Sequence, residues 1–511
     1  MTELHNLTAV EQRHLLETGE LRPVELAEHY LNRIEELNPL LHAFTTVTTD
    51  AALARAEALE DGCDPGAPAH LSTSEFARSS GREPRPSRHD SPLWGLPFAD
   101  KDLTDRAGVP TSYGSRAFVN NVAQTSSPLV MDMDTAGGVS LGKTNVPEFG
   151  FPAYAENRLP AGHARNPWDT ERDPGGSSAG AAVAVAARML PFAPGSDGGG
   201  SVRIPAAACG LVGLKPSRGR VPGASGIDSL GGLAVGGPLA RTVADAALLL
   251  DGMCSGADRF ALRAPSPNLP PSGSFLDALI EPAARGTKPA QSPRPAAPQP
   301  LRIGWNTWSP WASQYEITLD PEAEDTLAAT IQLAEKLGHR VERVEPTPFP
   351  EYVDAFRAIW MGGASGLPLP DEILDHLEPL TSWLIRTGRT RPAGDLPQAL
   401  AALSRFESQI IADYAPYDLV LTPMLSTPAP LVGSFDPSDG NQNFIQQCQF
   451  TPFTSYLNVA GLPAISMPVG EGPLPMGVQA IGRPGDEVTL LRFAAQLEAE
   501  LCWQNRVPPV A

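Results

Sequence analysis

Cysteine is scarce: five residues in 511, Cys63, Cys209, Cys254, Cys448 and Cys502, scattered and without a CxxC pair. That spacing points to neither a disulfide framework nor a zinc cage, and it fits a reducing compartment. Basic residues are also short, with 38 Lys and Arg against 58 Asp and Glu for a net charge of −20. Such a surface repels phosphate backbones and anionic lipid, so neither nucleic acid nor membrane is expected as a partner. Long hydrophobic runs are lacking too. The most apolar one, AGAAVAVAARML from Ala179, is too short to span a bilayer and is broken by Arg188. The N-terminus MTELHNLTAVEQRHLL has no basic region leading into an apolar one. With 42% hydrophobic residues the chain can bury a large core, and a cytoplasmic, enzyme-sized globular protein is expected.

What is present is α/β alternation. Thr8 to Glu11 reads as a capping box opening a first helix, and a second runs from about Pro23 to Leu37. LRIGW at Leu301 and HRVERVEP at His339 read as strands around a helix from Pro321, which has Asp320 before it and Gly338 after it. YDLVLTPM, GLPAISMPVG and PMGVQAIG read as buried strands, and Glu487 to Leu501 as a closing amphipathic helix. Residues 61–92 have the composition of a surface insertion, and 264–300 that of a Pro-rich loop or linker.

The segment GGVSLGKT, Gly137 to Thr144, matches a phosphate-loop pattern. A phosphate loop needs a helix starting at its Lys, and Pro147, Gly150 and Pro152 break any helix there, so a strand-edge turn is expected instead.

A further shortage concerns histidine. GSDGGGSVRIP places Ser201 after three glycines, yet the nearest histidines in sequence are His163 and His339. Consecutive glycines allow backbone amides to converge on a developing oxyanion, which suits a nucleophile at Ser201. Without histidine, a lysine held neutral is a candidate base, at a cost of about 4–5 kcal/mol at pH 7 unless its surroundings lower it. Lys101, between Phe98-Ala99 and Leu103, permits burial, although Asp100 and Asp102 flank it. RDPGGSSAGAAVAVA adds Ser177 and Ser178 ahead of an Ala/Val run read as a buried helix.

GGSSAGAAVAVAARMLPFAPGSDGGGSVRIPAAACGLVGLKPSRGRV resembles the signature block of the amidase signature family. GLPFADKDLTDRAG, SLGKTNVPEFG and ARNPWDTERDPGGSS resemble its other shared segments. The resemblance implies one domain over 1–511 with an α/β/α sandwich, a large mixed twisted sheet flanked by helices on both faces. It implies an amidohydrolase cleaving a linear carboxamide C–N bond through a Ser-Ser-Lys triad. The nucleophile falls on Ser201, a bridging serine in a cis peptide on Ser177, 24 positions earlier, and the base on Lys101. The oxyanion hole falls on the backbone of Gly198, Gly199, Gly200 and Ser201. It implies no metal and no organic cofactor, a small-molecule amide substrate, and a homodimer as the assembly. Two departures stand out, Ala179 where the family usually has glycine and Gly198 where Thr or Ile is commoner; Leu103, where many members carry Asn, also occurs in a subset of hydrolytic amidases.

Two other readings are set beside this one. The glutaminase component of glutamyl-tRNA amidotransferase, which works in a complex, normally reads Arg-Gln-Pro where this chain has Ile204 in the Gln place. An inactive, binding-only descendant would have lost a triad member, and all three are here. Arg203 and Asp197 read as a structural ion pair, and Cys209 as packing rather than a thiol nucleophile. Tyr113, Trp360, Trp383 and Phe453 read as core or as acyl-pocket wall. Loops 352–397 and 423–453 are expected to shape that pocket.

Overall fold

The computed structural model describes residues 3–61, 88, 90–221, 230–255, 270, 273–279 and 300–511. Most of 61–92 and of 264–300 lies outside the described residues. The N-terminal helices are Ala9–Thr18 and Pro23–Leu41. Thr8 caps the first by accepting from Glu11 N while Glu11 accepts from Thr8 N, so two amides of the opening turn are satisfied reciprocally.

Among the described residues, eleven strands form two sheets. The smaller has the order β1-β3-β2, with β1 Phe44–Val47 antiparallel and β2 Pro97–Lys101 parallel to the central β3 Val139–Thr144. The larger contains β4 Phe192–Asp197, β5 Val212–Lys215, β6 Val235–Ala240, β7 Arg302–Trp305, β8 Arg340–Arg343, β9 Leu419–Pro423, β10 Ala464–Met467 and β11 Val478–Gly482. Its order is β4-β6-β5-β10-β11-β9-β7-β8, antiparallel up to β9 and parallel from β9 to β8, a mixed sheet as expected.

Side-chain alternation explains how the sheet is covered on both faces. Leu419, Leu421, Ile465, Met467, Val478 and Ala480 enter one apolar cluster, and their neighbours Val420, Ala464 and Ile481 enter another. Strands that feed two cores read as continuous apolar runs, which is why YDLVLTPM and PMGVQAIG are legible as strands. The helices Pro321–Lys336 and Glu487–Leu501 lie where the sequence places them, with Asp320 and Asp486 as N-caps. Among the described residues no helix is long and apolar enough to cross a membrane.

Two expectations change. The segment containing SLGKTN is not a strand-edge turn: it is β3, the middle strand of its sheet. Lys143 is fully buried there, donates to Thr111 Oγ1 at 3.0 Å and to Thr104 O, and lies 3.6 Å from the Asp102 carboxylate. A lysine neutralised this way can occupy a buried strand, which the polarity of the residue concealed. Within the Pro-rich stretch, Phe275–Leu279 forms a short helix with Phe275 and Leu279 buried. The amides of Phe275 and Leu276 donate to Asp251, so a loop or linker is the wrong description for that piece.

Breaking the Lys143–Asp102 pair strands a buried carboxylate. Lys143→Ala is expected to cost about 3–5 kcal/mol of stability. Thermal unfolding checks this, and ATP is expected to leave the wild-type midpoint unmoved.

Candidate active site

The site begins with β2, whose residues are buried throughout. At its end Lys101 Nζ, with the side chain 2% exposed, donates to Ser177 Oγ at 2.9 Å, Ser196 Oγ at 3.0 Å and Ser196 O at 3.1 Å. The carboxylates flanking it in sequence are engaged elsewhere. Asp100 binds Arg106 at 2.7 Å and Ser140 at 2.8 Å; Asp102 accepts from the Ser112 amide and hydroxyl and faces Lys143. Burial therefore dominates: it pushes the Lys101 ammonium down to about 7, against the opposing pull of the Asp197 charge.

Ser177 follows a cis Gly176–Ser177 peptide bond, the arrangement the resemblance implied. The next residue, Ser178, donates its amide to Ser201 O at 3.2 Å, which docks the two serine segments together. Its hydroxyl turns to Ser196 O at 3.4 Å, and it precedes the wholly buried helix Ala179–Ala186. Of the adjacent serines, Lys101 thus reaches the first.

Ser201 lies just beyond the end of β4, in a loop organised by Asp197. That carboxylate accepts from Gly200 N at 2.8 Å, Val202 N at 3.2 Å, Arg203 Nε and Nη2 at 2.9 Å each, and Asn458 Nδ2 at 2.9 Å. Burial alone would raise the Asp197 carboxyl, but Arg203 and Lys215 outweigh it and hold it well below the usual carboxylate range. Arg203 and Asp197 form a fully buried ion pair inside the loop, as read from the sequence.

Gly200 has φ +131°, and a Cβ there would lie 2.6 Å from Ile204 Cδ1 and 2.7 Å from Thr454 Cβ, so only glycine fits. One expectation is corrected here: Gly200 is not an oxyanion donor, because its N–H is spent on Asp197 Oδ1. The amides of Gly198, Gly199 and Ser201, and the Ser201 hydroxyl, have no hydrogen-bond partner among the described residues.

Ser201 and Gly199 line a pocket open to solvent on one side and walled by Phe151, Trp360, Phe356, Phe444 and others. The two segments expected to shape it do so, as helices rather than loops: Tyr352–Ser365 brings Phe356 and Trp360, and Gly440–Phe450 brings Phe444, Gln447 and Cys448. Of the four aromatics singled out from sequence, only Trp360 lines the pocket. Tyr113 binds Asp105 through its hydroxyl at 2.9 Å, Trp383 packs on Phe444, and Phe453 is fully buried. Cys209 is buried with its thiol pushed well up by desolvation, which fits packing.

The structure thus joins Lys101 to Ser177 by a hydrogen bond and leaves the Ser201 hydroxyl unpartnered at the pocket wall. Three participants escape the sequence reading. Ser196 supplies two of the three lysine acceptors, Asn458 ties the Asp197 loop to Leu233 O, and Thr454 donates to Gly199 O at 2.6 Å. The signal for Asn458 and Thr454 is present only as TPFTSYLNVAGL, far downstream of the nucleophile and with no chemistry of its own.

Comparison with known proteins gives a consistent picture. A model of the Amidase family matches residues 67–491. A putative amidase of Synechocystis is 35% identical, covering 98% of this chain and 90% of that protein. The A component of the glutamyl-tRNA(Gln) amidotransferase of Nitrosococcus oceani is 31% identical, covering 99% of each. Among solved structures, 6-aminohexanoate cyclic dimer hydrolase superposes with a TM-score of 0.82 at 27% identity, covering 99% of each chain.

Lys101 also carries a stability signature. Its folded pKa, about 7, lies below the unfolded value of 10.5, so between these the unfolded chain binds more protons and stability rises with pH. Relative to Lys101→Met, the wild type is expected to gain up to about 1.4 kcal/mol per pH unit across that window, read from paired denaturation curves at pH 7 to 10.

Proposed function

The chain belongs to the amidase signature family, hydrolases acting on carbon–nitrogen bonds, and from this we propose that it is a stand-alone amidase cleaving a linear carboxamide through an acyl-enzyme on Ser201. The observation that carries the reading is the 2.9 Å bond from buried Lys101 to Ser177 beside the unpartnered Ser201 hydroxyl.

In this mechanism neutral Lys101 takes the Ser177 proton as Ser177 takes that of Ser201, and Ser201 Oγ attacks the carbonyl carbon. The amides of Gly198, Gly199 and Ser201 hold the oxyanion. As the C–N bond breaks, the proton returns along the same path to the departing nitrogen, releasing ammonia or an amine. Water then adds to the acyl carbon, giving its proton to the same relay, and the acid leaves as Ser201 regains its hydroxyl.

The stand-alone reading is favoured over an amidotransferase component by Ile204, whose apolar side chain lines the pocket at the place where that component normally has Gln. The retained Lys101, Ser177 and Ser201 speak against a binding-only protein. A cytoplasmic location and a homodimer complete the proposal.

A fluorophosphonate is expected to form a single adduct on Ser201, located by peptide mass spectrometry. Ser177→Ala and Lys101→Ala are each expected to slow its formation by about 10²-fold or more. An adduct elsewhere, or unslowed labelling, would remove the relay. Hydrolysis of simple amides by the purified chain alone, with ammonia measured, separates it from a protein that needs partners.

A further inference from the structure

The pocket beside Ser201 carries more information than its position. Among the described residues no lysine, arginine, histidine, aspartate or glutamate lines it. Polar side chains of its wall are already occupied within the protein. Gln447 accepts from Ala153 N at 2.7 Å and donates to Asn443 Oδ1 at 2.6 Å. Ser455 accepts from Trp311 Nε1 at 3.0 Å and bonds the Tyr352 hydroxyl at 2.9 Å, and Thr451 donates to Gln447 O at 2.9 Å. A charged group entering this space would leave water without gaining a counter-charge, which is strongly unfavourable. Arg357 stands on the Phe444 ring, but it is held by Tyr315 and Asn441 and does not line the pocket.

The apolar walls have a planar arrangement. The Trp360 indole stacks on Phe356 at 5.5 Å and 19°, and Phe151 meets it edge-on at 6.0 Å and 75°. The benzo edge of Trp360 then reaches the loop before the nucleophile: a Cβ built on Gly198 would lie 3.6 Å from Cη2 and 3.7 Å from Cζ3. Alanine would just make contact. Gly198 thus leaves the Trp360 wall in reach of the expected oxyanion amides.

We infer that this pocket is an acyl slot for an uncharged aromatic group, and that the Trp360 indole packed over Gly198 sets the preference. The inference rests on the amidase reading only in calling the bound group an acyl group. The slot itself follows from the lining.

Ser201→Ala protein, which binds without turnover, is titrated calorimetrically with phenylacetamide, acetamide and succinamate. Phenylacetamide is expected to bind at least about tenfold more tightly than either. Adding Trp360→Ala is expected to remove most of that margin. Trp360→Leu retains apolar bulk without a ring and is expected to lose most of the margin as well, which covers the case in which Trp360→Ala does not fold. Equal affinity for the three amides, tighter binding of succinamate, or a margin left intact by Trp360→Ala or Trp360→Leu overturns the inference. Turnover by the wild type reads the amidase proposal separately. Hydrolysis without a binding preference sinks the slot alone; a binding preference without hydrolysis sinks the amidase proposal alone.

Discussion

A primary amine shut away from water, facing two hydroxyls and a carbonyl rather than a carboxylate, is the constraint around which the site is built. Lys101 titrates near 7 because burial dominates its surroundings. The carboxylates that would restore its charge are committed elsewhere: Asp100 to Arg106, Asp102 to Lys143 and Ser112, Asp197 to Arg203. Three acid–base pairs thus keep one lysine unpaired. Buried ion pairs contribute little net stability, so their effect here is better understood as arranging charge around Lys101.

The Asp197–Arg203 pair has a second consequence. By gathering the amides of Gly200 and Val202 and the Asn458 side chain, Asp197 fixes the turn that presents Ser201 to the pocket. Gly200, with its positive φ and no room for a Cβ, supplies the backbone path, and its amide serves the turn. The amides left over, those of Gly198, Gly199 and Ser201, are the ones available to a substrate oxygen. The same carboxylate thus orders the loop and decides which of its amides stay free.

Much of this is legible in the sequence, for identifiable reasons. β9, β10 and β11 feed cores on both faces and so read as unbroken apolar runs. The helices announce themselves by capping residues at Thr8 and Asp320. Lys101, Ser177 and Ser201 stand out because absence of nearby histidine, glycine density and family resemblance converge on them. What fails does so where one residue's meaning depends on distant partners. Lys143 reads as a turn residue because its partner carboxylate, Asp102, is brought to it by another segment of the chain. Gly200 reads as an oxyanion donor because glycine content shows where amides can converge, not which acceptor claims each one. Ser196 reads as filler in a glycine-rich run because nothing in its neighbours tells that its hydroxyl faces Lys101.

The central claim, that Lys101 acts as a neutral base through Ser177, is tested most directly by the pH dependence of the rate at which a fluorophosphonate phosphonylates Ser201 under single-turnover conditions. The rate is expected to rise with pH through a midpoint near 7, where the amine loses its proton, and to flatten above it, with the midpoint absent in Lys101→Ala. A rate that keeps rising to about pH 10, the range of an ordinary lysine, or a midpoint near 7 that survives the loss of Lys101, would contradict it.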